Sequence, residues 1–186
     1  MSTLAQSFKP IVTALLLSVG ISIPVWAQDA EVEPLFQQLA EATGEESPQI
    51  ESQILDIWSK SGSAAIDLLV RRGQEALDAG DYAAAIEHFT AVVDHAPDFA
   101  EGYNGRATAY YFAGLIGPAL DDIRQTLVLN PRHFGALRGF GAILEQLGQD
   151  EQALEVYGKV LALSPHAPDM EEAAERLEQK LLGRSL

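Results

Sequence analysis

The sequence predicts an all-α protein, a solenoid of stacked two-helix units closed by a helical segment at each end. Three observations carry that prediction. Residues of fixed type return every 34 positions, apolar residues between them form stripes at helical spacing, and glycine and proline fall where the helices must stop. Pro97, Pro131 and Pro165 are 34 residues apart, as are Gly80, Gly114 and Gly148, and Ala85, Ala119 and Ala153. Gly73, Ala107 and Gly141 keep the same register. So do Leu69, Tyr103 and Leu137, and so do Phe89, Ile123 and Tyr157. These columns delimit ungapped copies at residues 66–99, 100–133 and 134–167.

Residues 1–27 read as a secretory signal peptide. Lys9 precedes an acid-free apolar stretch over residues 11–23, Pro24 breaks it, and Val25-Trp26-Ala27 offers small residues around a cleavage point. The stretch is short for a membrane span, which needs roughly 20 residues. An uncleaved, membrane-tethering segment is the alternative. Cleavage would leave a chain with eleven of the twelve basic residues and all 27 acids, a formal charge of −16. Such a surface repels nucleic acid and anionic lipid, so neither is expected as a partner once the segment is removed. Cysteine is absent, which excludes disulfides and thiolate chemistry. The expected compartment is the periplasm.

After cleavage, residues 28–33 are expected to be a disordered new N-terminus. Residues 34–65 follow as a degenerate helical hairpin. Leu35, Phe36, Leu39 and Ala42 give a first apolar face that ends near Gly44. Ile50, Ile54, Ile57 and Trp58 give a second, which Gly62 stops. Its expected place is on the first repeat, with Trp58 as the packing residue.

Within each repeat, Gly80, Gly114 and Gly148 end the first helix, where a left-handed backbone suits glycine. Pro97, Pro131 and Pro165 end the second. The small pairs Gly73 with Ala85, Ala107 with Ala119, and Gly141 with Ala153 are expected to let the paired helices approach closely. Asp98 and Glu101 have the spacing of a capping box for the helix that follows. Gly117-Pro118 is expected to delay the second helix of the middle copy. Arg106 either pairs with Asp122 across its hairpin or lies solvated over its apolar stem. The 34-residue period with these columns resembles the tetratricopeptide repeat (TPR). The resemblance implies a right-handed TPR solenoid of three helix-turn-helix repeats with a concave binding face. The stretches LFQQLAEATG, ILDIWSKSGSAAIDLLVRRG, TAVVDHAPDFAEGYNGRATAYY and NPRHFGALRG further resemble small exported TPR proteins of proteobacteria. That likeness implies a fold and a compartment but no activity.

Residues 168–186 read as a C-terminal capping helix, with Met170, Ala173, Leu177 and Leu181 on one face and Glu171, Glu172, Glu175 and Glu178 on others.

No constellation for catalysis stands out, and no cofactor is expected. His88 and His95 lie two turns apart, about 10 Å along a helix, too far for one metal. His133 and His166 fall at turns between repeats. No serine sits in a GxSxG setting, and neither a phosphate loop nor a dinucleotide fingerprint is present. The expectation is therefore a non-catalytic scaffold or adaptor that binds a protein or peptide. The alternative is an enzyme, or the accessory subunit of one, acting on cell-wall or peptide substrates.

The resemblance puts the first helix of each repeat on the concave face. Helical phase then selects Gln74 from the first copy, Asn104, Thr108 and Tyr111 from the second, and Arg138 and Glu145 from the third as groove residues. Asn104 can donate and accept toward a peptide backbone. Arg138 can clamp a carboxylate. Residues 123–144 hold no acid but contain Arg124, Arg132 and Arg138. This reads as a local positive spot for an acidic side chain or C-terminal carboxylate of the partner. The oligomeric state is not legible.

Overall fold

The computed structural model describes residues 25–184, which form helices α1 (Val25–Glu41), α2 (Ser47–Trp58), α3 (Ala64–Asp78), α4 (Tyr82–His95), α5 (Ala100–Phe112), α6 (Ile116–Leu129), α7 (Phe134–Gln146), α8 (Asp150–Leu163) and α9 (Pro168–Arg184). No strand occurs among the described residues. The signal peptide expected over residues 1–27 falls, up to residue 24, outside them. Helices α3–α4, α5–α6 and α7–α8 are the hairpins of the three repeats, each packed on the next, and α9 packs on α8.

The punctuation works as glycine chemistry requires. Gly80, Gly114 and Gly148 have φ of +73°, +76° and +74°, which turns the chain from one helix of a pair into the other. Two details differ from expectation. The middle copy's second helix is not delayed: α6 starts at Ile116, in register with Tyr82 and Asp150, because Pro118 fits inside the first turn, where no amide is needed. Asp98 and Glu101 form no capping box. Phe99 is the N-cap of α5 without a side-chain bond, and the Glu101 carboxylate is drawn to His133 instead.

Ring packing explains the small columns. A Cβ on Gly73 would lie 2.7 Å from the Phe89 ring, and one on Gly105 would lie 2.2 Å from the same ring. Phe89 is thus held between α3 and α5, 1% exposed. In the third repeat a Cβ on Gly141 would lie 2.2 Å from Tyr157. The small residue makes room for the large one sixteen positions later, while Ala85, Ala119 and Ala153 are each completely buried. Arg106 pairs with Asp122, its Nε donating to Oδ2 at 2.7 Å and its Nη2 to Oδ1 at 2.9 Å.

The N-terminal segment departs most from expectation. Residues 28–33 lie within the first half of α1 rather than in disordered chain, and Val32 is completely buried. The hairpin α1–α2 does not sit on the first repeat. Val32, Phe36, Leu39, Ile54 and Trp58 join one apolar core with Phe134, Leu137, Val156, Val160 and Met170 of the third repeat and α9. Gly44, in the α1–α2 turn, lies against His166 and Pro168. Trp58, at the other end of α2, stacks on His133 at 5.1 Å and tilts on Phe134 at 5.3 Å. The hairpin therefore straps the edge formed by the turns between repeats. The reason is apolar area. The outer face of α3 carries exposed Arg71, Arg72 and Glu75 beside half-exposed Leu68, so it offers no seat and needs no cover.

Candidate functional site: the concave groove

The first helices of the repeats, α3, α5 and α7, line the concave side, with α9 extending the row. A groove of about 220 Å³ opens between α5 and α7. Asn104, Thr108, Tyr111 and Phe112 form one wall, Ala107 and Ile123 the depth, and Gly135, Ala136, Gly139, Ala142 and Ile143 the other wall. Helical spacing places Gly135, Gly139 and Ala142 on one stripe of α7. The Tyr111 ring stands edge-on to Phe112 at 5.4 Å, and Phe112, 55% exposed, stacks on Tyr82 at 5.6 Å. An aromatic rim thus runs from the groove onto the edge of the array.

Of the six residues selected from the sequence, Asn104, Thr108 and Tyr111 meet in this groove. Gln74 is exposed on α3 and bonds to Asp78 at 2.9 Å, outside the groove lining. Arg138 and Glu145 are turned toward other helices. Arg138 Nη2 donates to Glu51 of α2 at 2.9 Å and Nε to Asp169 of α9 at 3.1 Å. Glu145 accepts both terminal nitrogens of Arg176 on α9, and the Tyr157 hydroxyl at 3.4 Å. The Arg176 contact holds the Glu145 carboxyl below the ordinary glutamate range despite partial burial. Burial, followed by the Glu145 charge, pushes the Tyr157 phenol up to about 12.

The expected positive spot does not exist in space. Arg124 pairs with Asp121 at 2.7 Å, Arg132 with Glu33 at 2.9 Å, and Arg138 with two acids. Residues 123–144 lack acids, but the fold supplies acids from α1, α2, α6 and α9.

Sequence reasoning missed the cluster that anchors the strap. His133 is completely buried as the N-cap of α7. Its Nδ1 accepts the Ala136 amide at 3.1 Å, which leaves Nε2–H to donate to Glu101 at 2.9 Å. Burial pushes the Glu101 carboxyl up, but the hydrogen bond from His133, with another from Asn104, outweighs it and leaves the group below its ordinary range. With both ring nitrogens committed, His133 has no free position for proton transfer to a ligand. The available signal was a histidine two residues after Pro131, at a helix start. Among the described residues no group of three His, Cys, Asp or Glu side chains is placed to hold a metal. No helix among them is long and apolar enough to cross a membrane.

The tetratricopeptide repeat family model matches residues 70–116 and 106–168, more than half of the chain. This chain belongs to the tetratricopeptide repeat family. It is 33% identical over 153 residues to a TPR repeat-containing protein of Rhizobium etli, covering 82% of this chain and 75% of that one. It is 29% identical over 102 residues to the small glutamine-rich tetratricopeptide repeat-containing protein 2 of Mycosarcoma maydis, covering 55% of this TPR chain but only 29% of the relative. Among solved structures, the first TPR domain of Spaghetti (RPAP3) bound to the HSP90 peptide SRMEEVD superposes with a TM-score of 0.60 at 26% identity. That match covers 63% of this chain and 93% of the domain.

Proposed function

We propose that this TPR protein is a non-catalytic adaptor of the bacterial envelope, holding a segment of another protein in the groove between α5 and α7. The observation that carries the reading is the groove itself. It is open and lined by aromatic, apolar and amide side chains, and its helices are fixed by buried rings and, at α7, by the strap along the turn edge. A recess of about 220 Å³ is smaller than the roughly 300–1,000 Å³ of typical small-molecule sites, and suits side chains of a docked segment. The peptide held by the structurally similar RPAP3 domain supports a peptide or protein as the class of partner. Residues 1–27, with the features of a cleaved signal peptide, support export to the periplasm.

A photo-crosslinking amino acid at Thr108, compared with one at the exposed Glu155 of α8, tests the reading in cells. Specific adducts from position 108 alone are expected. Equal or absent adducts at both positions would refute groove binding. Mass spectrometry of the chain tests export: a start at Gln28 is expected, and an intact residue 1 would reject cleavage.

A further inference from the structure

Every charged side chain on the two helices that wall this groove, α5 and α7, is already held within the chain, as is Asp67 on α3. Asp67 accepts the Ser61 hydroxyl at 2.6 Å and the Ser61 amide at 2.9 Å. Glu101 is bound by His133, Arg138 by Glu51 and Asp169, and Glu145 by Arg176. Glu51 is the informative case. It comes from the strap, is 9% exposed, and together with Asp169 of α9 occupies the guanidinium of Arg138, the one arginine of α7. The chain thus supplies its own acid to its own clamp.

We infer that the groove selects an uncharged aliphatic face of an α-helix and not an acidic tail. This inference rests on the groove being the binding site, and it names the class of segment bound there. Charge complementarity decides the class. A carboxylate entering here would lose water without gaining a free cation, in a chain of net charge −15. An apolar face loses nothing comparable, and gains contact with Ile123, Ile143 and Phe112. The small stripe of Gly135, Gly139 and Ala142 leaves room for a helix to lie close against α7, and Tyr111 and Phe112 close the far side.

Two fluorescent synthetic peptides test this against the full exported chain. One is a helix with a leucine–alanine face and a glutamine face, blocked at both ends and therefore uncharged. The other is a short peptide ending in two glutamates and a free carboxylate. Anisotropy is expected to show binding of the helix, with affinity changing less than about threefold between about 50 and 500 mM salt. The acidic peptide is expected to bind at least about tenfold more weakly. Ala142→Glu, at an exposed groove position, should weaken the helix at least about tenfold while leaving the circular dichroism spectrum unchanged. Tighter, salt-sensitive binding of the acidic peptide, reduced by the same substitution, would overturn the inference and leave the groove as the site. Helix binding that is indifferent to Ala142→Glu would overturn it also. If neither peptide binds, the groove reading fails and the inference with it.

Discussion

Two glycine-to-alanine substitutions in neighbouring helices should move stability in opposite directions. Gly158 lies in α8 with no atom within 4 Å of where a Cβ would stand. Gly158→Ala should therefore stabilise by about 0.5–1 kcal/mol through chain entropy and helix propensity. Gly141 lies in α7, and there the new methyl would stand 2.2, 2.7 and 2.9 Å from three atoms of the Tyr157 ring. That ring is rigid, 4% exposed, and tied through its hydroxyl to Glu145. It must retreat by about 1 Å, and overpacking of this kind costs about 1–3 kcal/mol. With the same propensity gain set against it, Gly141→Ala should be net destabilising by about 1–2 kcal/mol. Urea unfolding followed by circular dichroism reads both. The midpoints should move apart with the denaturant slope unchanged, and melting temperatures should separate at about 2–4 °C per kcal/mol. Equal shifts in the two variants, or a Gly141→Ala protein more stable than wild type, would refute the idea that the small column exists to house the ring.

Further outcomes follow from the strap and from the coupled acids. Glu51→Gln removes the charge that meets Arg138 at the strap's interface. A charged hydrogen bond of this kind contributes about 1.5–3 kcal/mol, to be read as a lower urea midpoint. Trp58 is 7% exposed between Phe36, His133 and Phe134, so its emission in the processed chain should be blue-shifted. A water-like emission maximum would show the strap undocked. The Glu101 carboxyl titrates below its ordinary range in the folded state. Its contribution is therefore present above the unfolded glutamate pKa and lost as pH falls through the depressed value. The urea midpoint should drop along that acid limb, and Glu101→Gln should flatten the drop. The Tyr157 phenol is raised to about 12, so its contribution is present below the unfolded tyrosine pKa and lost as pH climbs from about 10 toward that value. Ultraviolet titration should show Tyr157 ionising late, and Glu145→Gln should bring that ionisation earlier.

The sequence by itself determined the repeat, because the forces behind it are local. A left-handed turn needs glycine, a helix stops at proline, and a large ring needs a small neighbour at a fixed offset. Gly80, Phe89 and Gly141 therefore announce their roles one repeat at a time. Helical phase also brought Asn104, Thr108 and Tyr111 to one groove, since all three lie on a single helix. Only the tertiary structure decided where the strap would sit and which charges would remain free. Glu51 and Arg138 are 87 residues apart, and nothing periodic links them. The strap takes an apolar seat around Phe134 and Leu137, and passes over the polar face of α3 that adjoins it in the chain. Non-directional burial of apolar area made that choice, and in doing so it closed the basic clamp that the linear order of residues had left open.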